Sequence, residues 1–357
     1  MEEIEYIEIK NAIKKINIIE GKTFLITGAT GMLASRIIDF LMEFNKKNKK
    51  KKCKIIGIAR NHEKVADRFK NYEKKENLKF LYKNILEPIT IHDTLDYIIH
   101  AASLASPKYY GICPIQVIEP NVIGVKNLLD LAKDKKVKSV LFFSSGEVYG
   151  INKNHSILDE SSFGYLNPMN IRSCYAESKR MGENICASYF MQYKIPVKIV
   201  RPFHTYGPGM DINDGRVFAD FVKNILSNQD IEIKSDGSAR RPFCYISDAI
   251  AAFLVVLING ENGEAYNIAN PYQEFSVRQL AKKLIQLFPE RKLKVKFVEQ
   301  DTVYSKSKIN MQVVNIDKVM KLGWKPGVGI EDGFKRTINY FESETINSKK
   351  EISDEKV

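Results

Sequence analysis

The sequence predicts an α/β protein with a doubly wound parallel sheet and a smaller C-terminal lobe. Three observations support this: short apolar runs alternate with helically periodic segments, the first run stops at a glycine turn, and the rhythm breaks near residue 205. At 357 residues the chain exceeds the usual size of one core, so two domains or one enlarged α/β domain are expected.

Residues 1–20 read as an amphipathic N-terminal helical arm. Thr23-Phe24-Leu25-Ile26-Thr27 reads as a buried parallel strand, because a strand covered on both faces needs no polar alternation. Leu33, Ile37, Leu41 and Phe44 then recur at helical spacing. Ile55–Ala59 is the second strand; Tyr97–Ile99, Val140–Phe143 and Val197–Val200 follow, with helices at about 115–133 and 175–193 between them. Such alternation builds right-handed βαβ units over residues 21–204. After a Gly/Pro/Asp-rich stretch, YGPGMDINDGR, comes a helix at 216–227, then short strands and helices that form a lobe over 205–342. Residues 343–357 read as a frayed charged tail.

Composition excludes several classes. With 44% hydrophobic and 27% charged residues the chain is neither disordered nor fibrous. Its net charge of +12 is concentrated in the lysine run at 46–54, which reads as a solvated loop and not as a nucleic-acid surface. Five scattered cysteines form no CxxC pair and no ligand cluster with the histidines, so neither disulfides nor a metal site are expected. The N-terminus lacks a signal-peptide core and no window is apolar enough to span a bilayer, so the expected location is cytoplasmic, without membrane contact.

Gly28-Ala29-Thr30-Gly31-Met32-Leu33-Ala34 joins the first strand to the first helix. Gly28 permits the tight turn, Gly31 lets backbone approach a pyrophosphate, and Ala34 allows close helix–strand packing. A dinucleotide is therefore expected on Gly28, Thr30, Gly31, Met32 and Leu33. After the second strand the usual ribose-binding acid is missing; Arg60 stands there, suited to a 2′-phosphate or to lying over the adenine, so NAD and NADP both stay open.

The fourth apolar run leads into Ser144-Ser145-Gly146-Glu147-Val148-Tyr149-Gly150, at a strand end where open α/β sheets bind ligands. Tyr175 and Lys179, in YAESK, are i and i+4 on one helix face. An ammonium beside the phenol favours phenolate, and Ser145 can bond the same substrate oxygen. Together these residues suit proton and hydride exchange at an alcohol carbon.

TGATGMLAS, HAASLAS, SSGEVYG, YAESK, RPFHTYGPGM and RRPFCYISD, in this order, resemble the motifs of the extended short-chain dehydrogenase/reductases that modify nucleotide sugars. The resemblance covers roughly residues 21–340. It implies a Rossmann fold, a tightly bound NAD or NADP, a nucleotide-sugar substrate, and a homodimer through a four-helix bundle of the helices at 115–133 and 175–193. By matching position, Asn121 is implied to support Lys179 through water, Asn84 and Ile85 to lie near the adenine, and Ala101, Ala102 and Pro202 to line the cofactor. Ser103, Arg172, His204, Arg216, Arg241 and Tyr245 are implied to face the substrate, Arg241 and Tyr245 at its diphosphate or ribose.

Within that family, Glu147 resembles the Glu of members with chemistry at C5, the 4,6-dehydratases and the UDP-glucuronate decarboxylases. RSCY (172–175) and DGRVFADF (214–221) are similar to decarboxylase segments, and an arginine fork suits a carboxylate substrate. Gly146 departs from the Asp of dehydratases and the Ser of decarboxylases, and His204 stands where Asn is usual. The leading expectation is a UDP-glucuronate decarboxylase-like enzyme with catalytic Ser145, Glu147, Tyr175 and Lys179. A nucleotide-sugar 4-epimerase or 4,6-dehydratase, an NADPH-dependent 4-keto reductase and a non-catalytic nucleotide-binding protein are the alternatives.

Overall fold

The computed structural model describes residues 1–72, 76–152, 157–298 and 313–354, by backbone alone from 347 on. Its central sheet is parallel throughout: β1 (Thr23–Thr27), β2 (Lys54–Ala59), β3 (Leu78–Tyr82), β4 (Tyr97–His100), β5 (Ser139–Phe143), β6 (Val197–Pro202) and β11 (Ala265–Ile268), in the order β11-β6-β5-β4-β1-β2-β3. The reversal between β1 and β4 opens a crevice at the carboxyl ends of the strands. Because β1, β4, β5 and β6 are neighbours, the loops after them lie side by side there.

Short strands pair outside the sheet: β7 (Thr205–Tyr206) with β10 (Cys244–Tyr245), β8 (Ile231–Ile233) with β13 (Val295–Phe297), and β9 (Arg240–Pro242) with β12 (Glu274–Ser276). The helices are α1 (Glu3–Ala12), α2 (Met32–Lys47), α3 (His62–Arg68), α4 (Pro114–Glu119), α5 (Val125–Lys135), α6 (Ser173–Tyr193), α7 (Val217–Leu226), α8 (Ile246–Asn259), α9 (Val277–Leu287), α10 (Asp317–Met320) and α11 (Ile330–Asp354). None of the described helices is long and apolar enough to cross a membrane.

Strands β1, β2, β4, β5 and β6 fall where apolar runs place them. β3 was not foreseen: its LKFLY stretch is half-exposed at the sheet edge and carries too little continuous apolar character. The helix expected at 115–133 is interrupted. Pro120 has no N–H to continue the ladder, and residues Pro120–Gly124 form a π-helical turn between α4 and α5. Two boundaries also differ from expectation. The chain re-enters the central sheet as β11, and α8, apolar on nearly every face, packs on the sheet, so the segment after residue 205 also contributes to the first domain's core. The stretch 343–354, expected to fray, continues α11.

The N-terminal arm packs across α8 and buries Tyr6, Ile9 and Ile13. Glu5, only 1% exposed, pairs with Arg36 of α2 and accepts a hydrogen bond from the Tyr245 hydroxyl at 2.7 Å. Glu8 accepts from Ser247 at 2.6 Å and from Arg336 at 2.8 Å. Lys46 and Lys47 of the lysine run close α2 on Glu43 and Glu3, and Lys49–Lys52 face solvent.

Candidate active site

The glycine turn leaves β1 at Gly28, whose φ of +67° is open to glycine and strained for other residues. A Cβ there would stand 2.7 Å from Ala102 Cα, so the turn and the Ala101-Ala102 loop after β4 are in direct contact. Thr27 Oγ1 fastens the two by accepting the Ala102 N–H at 3.3 Å. Gly31 caps α2 without a side chain, leaving the first-turn amides pointing into the crevice mouth beside half-buried Thr30, Met32 and Leu33. Two buried polar atoms in the surrounding shell, Ser103 Oγ and Asn121 Oδ1, have no partner among the described residues. A cradle that only glycine permits, open helix amides and unpartnered polar atoms fit a dinucleotide. Arg60, just after β2, and Asn84, just after β3, are exposed; Asn84 Oδ1 accepts from Leu86 N, and Ile85 is buried.

Beyond β5, Ser145 caps a 3₁₀ turn, Gly146–Tyr149, accepting the Glu147 N–H at 3.1 Å. That turn aims Glu147 outward and Ser145 toward Tyr175 on the first turn of α6. Tyr175 is buried; this pushes its phenol up to about 12, partly opposed by the Ser145 hydrogen bond and the Arg216 charge. Lys179 lies one helical turn on, with Nζ 5.6 Å from the Tyr175 ring centre and donating to the Phe143 carbonyl at 2.6 Å. Burial brings its ammonium down to about 7, against a smaller opposing pull from Glu183. The buried amine therefore gives up its proton more readily than an exposed lysine does.

Two contacts had no signal in the sequence. Tyr110 stacks on Tyr175 with ring centres 5.2 Å apart at 14°, and its hydroxyl donates to the Ala105 carbonyl at 3.0 Å. His100, driven by burial and by Lys179 to about 3, is neutral at physiological pH. Its ring bridges Thr27 Oγ1 (2.8 Å) and the Pro120 carbonyl (3.0 Å), tying the glycine turn to the π turn. The π turn carries Asn121, whose amide nitrogen bonds the Val117 carbonyl and Ser178 Oγ.

Arg172, just before α6, faces Glu147 with two contacts of 3.1 and 3.4 Å. Arg241 stands in the same neighbourhood: burial lowers its guanidinium to about 10, Glu147 attracting it and Arg172 opposing it. Arg216 binds Asp214 at 3.3 Å and the Ala105 carbonyl at 3.3 Å. His204 is held neutral by burial and by the charges of Arg241 and Arg216, and its Nδ1 has no partner among the described residues. Pro202 ends β6 beside it. The hydroxyl of Tyr245, a residue expected at the diphosphate or ribose, donates to Glu5 under the arm. Gly146 also finds a physical reason: a Cβ there would stand 2.6 Å from the Phe203 ring, so the ring occupies the space a larger residue would need.

Comparison with known proteins follows the same lines. UDP-glucuronic acid decarboxylase 5 of Arabidopsis thaliana is 34% identical over 310 residues, covering 87% of this chain and 86% of that protein. UDP-glucuronic acid decarboxylase 1 of Xenopus tropicalis is 33% identical over 326 residues, covering 91% and 73%. Among solved structures, the UDP-N-acetylglucosamine 4-epimerase of Methanobrevibacter ruminantium superimposes with a TM-score of 0.79 at 24% identity, over 91% of this chain and 99% of that one. The UDP-glucuronic acid 4-epimerase of Bacillus cereus does so with 0.75 at 22%, over 90% and 99%. These two establish the shared fold. A family model described as the NAD dependent epimerase/dehydratase family matches residues 24–269, from the second residue of β1 to just past β11. With all of the parallel sheet but Thr23, and its glycine turn, inside that match, the chain belongs to the NAD dependent epimerase/dehydratase family.

Proposed function

We propose that the protein decarboxylates a UDP-linked glucuronate in a redox-neutral cycle at C4 and C5 of the sugar. The observation that carries the reading is the placement of Glu147 and Arg172 beside the Ser145, Tyr175 and Lys179 set, in a chain about one third identical to UDP-glucuronic acid decarboxylases.

The cofactor is NAD in keeping with the family; the Gly28–Leu33 turn, the α2 amides and the Ala101-Ala102 loop would hold it, with exposed Arg60 available to its adenosine half. When bound, it supplies a reversible hydride acceptor at C4. Tyr175 takes the C4 hydroxyl proton, and Ser145 holds the same oxygen. Lys179 lowers the cost of the phenolate, and Asn121 supports the amine. Glu147 delivers a proton to C5 once the C5–C6 bond has broken, CO2 has left and the electron pair has moved into the C4 carbonyl. Tyr175 finally returns its proton to the C4 oxygen. Each proton-transfer role contributes about 10²–10⁴-fold in rate. Arg216, Arg241 and His204 face the nucleotide diphosphate in this reading, with Ser103 on the sugar.

The same proposal includes a homodimer through a four-helix bundle, supported by exposed Ile115, Ile123, Met181 and Met191 on the α4–α5 and α6 faces. It also includes a cytoplasmic location, supported by five cysteines in no disulfide. Incubation with UDP-glucuronate labelled at C6 tests the reaction: labelled CO2 and a UDP-pentose should appear with no net change in nicotinamide absorbance. A UDP-hexuronate epimer without CO2, or steady consumption of reduced nicotinamide, would refute it.

A further inference from the structure

We propose that Arg172 is the fork that reads a sugar carboxylate, and that Glu147 occupies this fork until the substrate carboxylate displaces it. The inference rests on the uronate reading above and adds to it an internal competitor, built into the chain, for the substrate's own charge.

Among the described residues, two arginine–glutamate pairs make two guanidinium–carboxylate hydrogen bonds each, and they differ in a telling way. Arg201 grips Glu183 at 2.9 and 2.6 Å, with side chains 5% and 14% exposed. That is the geometry of a structural bidentate pair, within or below the usual 2.7–2.9 Å of charge-assisted bonds. Arg172 meets Glu147 at 3.1 and 3.4 Å, with side chains 21% and 28% exposed. Both contacts are longer than such bonds prefer, and both groups are reached by water. A loose pair in that position contributes little to stability, so a ligand anchored elsewhere can break it at small cost.

Position argues the same way. Arg172 lies three residues before Tyr175, and Glu147 two residues after Ser145, whose hydroxyl bonds Tyr175. Only C5 separates C4 from C6 in a hexuronate. A sugar whose C4 oxygen sits between Ser145 and Tyr175 must therefore carry its C6 carboxylate close to these two residues. The guanidinium of Arg172 also lies over the Tyr110 ring, 5.9 Å from its centre, and Tyr110 stacks on Tyr175. The fork thus borders the Tyr110–Tyr175 stack. When a substrate carboxylate takes the fork, Glu147 is released beside C5, the carbon to which it must carry a proton. One exchange of carboxylates would both select a uronate and free the group needed for its turnover. A neutral hexose lacks the charge to drive that exchange.

Equilibrium binding tests this in NAD-loaded protein carrying Tyr175→Phe, so that turnover does not intervene. UDP-glucuronate and UDP-glucose are titrated by calorimetry into this background and into versions that add Arg172→Gln, Arg172→Lys or Glu147→Gln. The background should prefer the uronate. Arg172→Gln should cut that preference about tenfold or more, and Arg172→Lys should cut it less, keeping the charge but losing the fork. Glu147→Gln should tighten uronate binding by about three- to fivefold and leave UDP-glucose unchanged, because the competitor is gone. The proposal is overturned if the background shows no uronate preference, if the preference survives Arg172→Gln, or if Glu147→Gln weakens the uronate. If the Arg172-dependent preference holds while the wild-type protein releases no CO2, the decarboxylase reading falls and the fork stands. If CO2 is released but discrimination ignores Arg172, the fork alone falls.

Discussion

Replacing Lys179 by Met should stabilise the folded protein while removing its activity. The amine is 2% exposed, and burial moves it from an ordinary 10.5 to about 7. At about 1.4 kcal/mol per unit, enclosing it costs the fold about 5 kcal/mol at and below neutral pH. Methionine has a similar length and carries no charge, but it abandons the Phe143 carbonyl, a loss of about 1–3 kcal/mol. The net gain at pH 7 is therefore about 2–4 kcal/mol. Between pH 7 and 10.5 the unfolded chain holds a proton that the native amine has released, so unfolding takes up a proton and wild-type stability rises with pH. The advantage of Lys179→Met should shrink through that window and reverse near its alkaline end. Thermal unfolding of both proteins at a series of pH values, read as the difference between them, checks this. A variant less stable than wild type at neutral pH, or a difference that ignores pH, would refute the argument from desolvation.

Tyr175→Phe keeps the stack on Tyr110 and removes the proton carrier; turnover should fall by about 10²–10⁴-fold with an unchanged melting temperature, in a product assay run beside calorimetry. Gly28→Ala forces a Cβ into positive φ and against Ala102, and should cost about 1–3 kcal/mol together with a clear loss of NAD affinity measured by titration. Glu5→Ala takes the carboxylate from buried Arg36 and from the Tyr245 hydroxyl, and should destabilise the fold by about 3 kcal/mol in chemical denaturation.

How much of this was legible in the sequence follows from how local each signal is. Buried parallel strands announce themselves as apolar runs, so β1, β5 and β6 were readable, and edge strand β3 was not. The glycine turn and the Tyr175/Lys179 pair are set by spacing within one turn, and the structure brings their loops together through strand order. Contacts between distant segments left no trace. Nothing in the residues around Tyr110 says that it stacks on Tyr175, and His100 read only as part of a motif. The arm looked amphipathic, yet its acidic residues Glu5 and Glu8 turn inward to arginines and to the Tyr245 hydroxyl, which only the fold gathers. Pro120 was visible, but its consequence, a π turn and not a break, depends on the His100 ring that accommodates the displaced carbonyl.

The contact between Gly146 and Phe203 has a consequence for how this chain relates to its kin. Phe203 is 6% exposed and stacks on Tyr149, so its ring has little room to swing aside. A serine or aspartate introduced at 146 alone would be overpacked by about 1–3 kcal/mol. Shrinking residue 203 first would open a hole that glycine cannot fill. The two sites are epistatic: each single step is penalised, and only the double change is neutral. Any evolutionary or laboratory path toward a side chain at 146 must therefore travel through its aromatic neighbour, which makes residue 203 the place to look for the order of events.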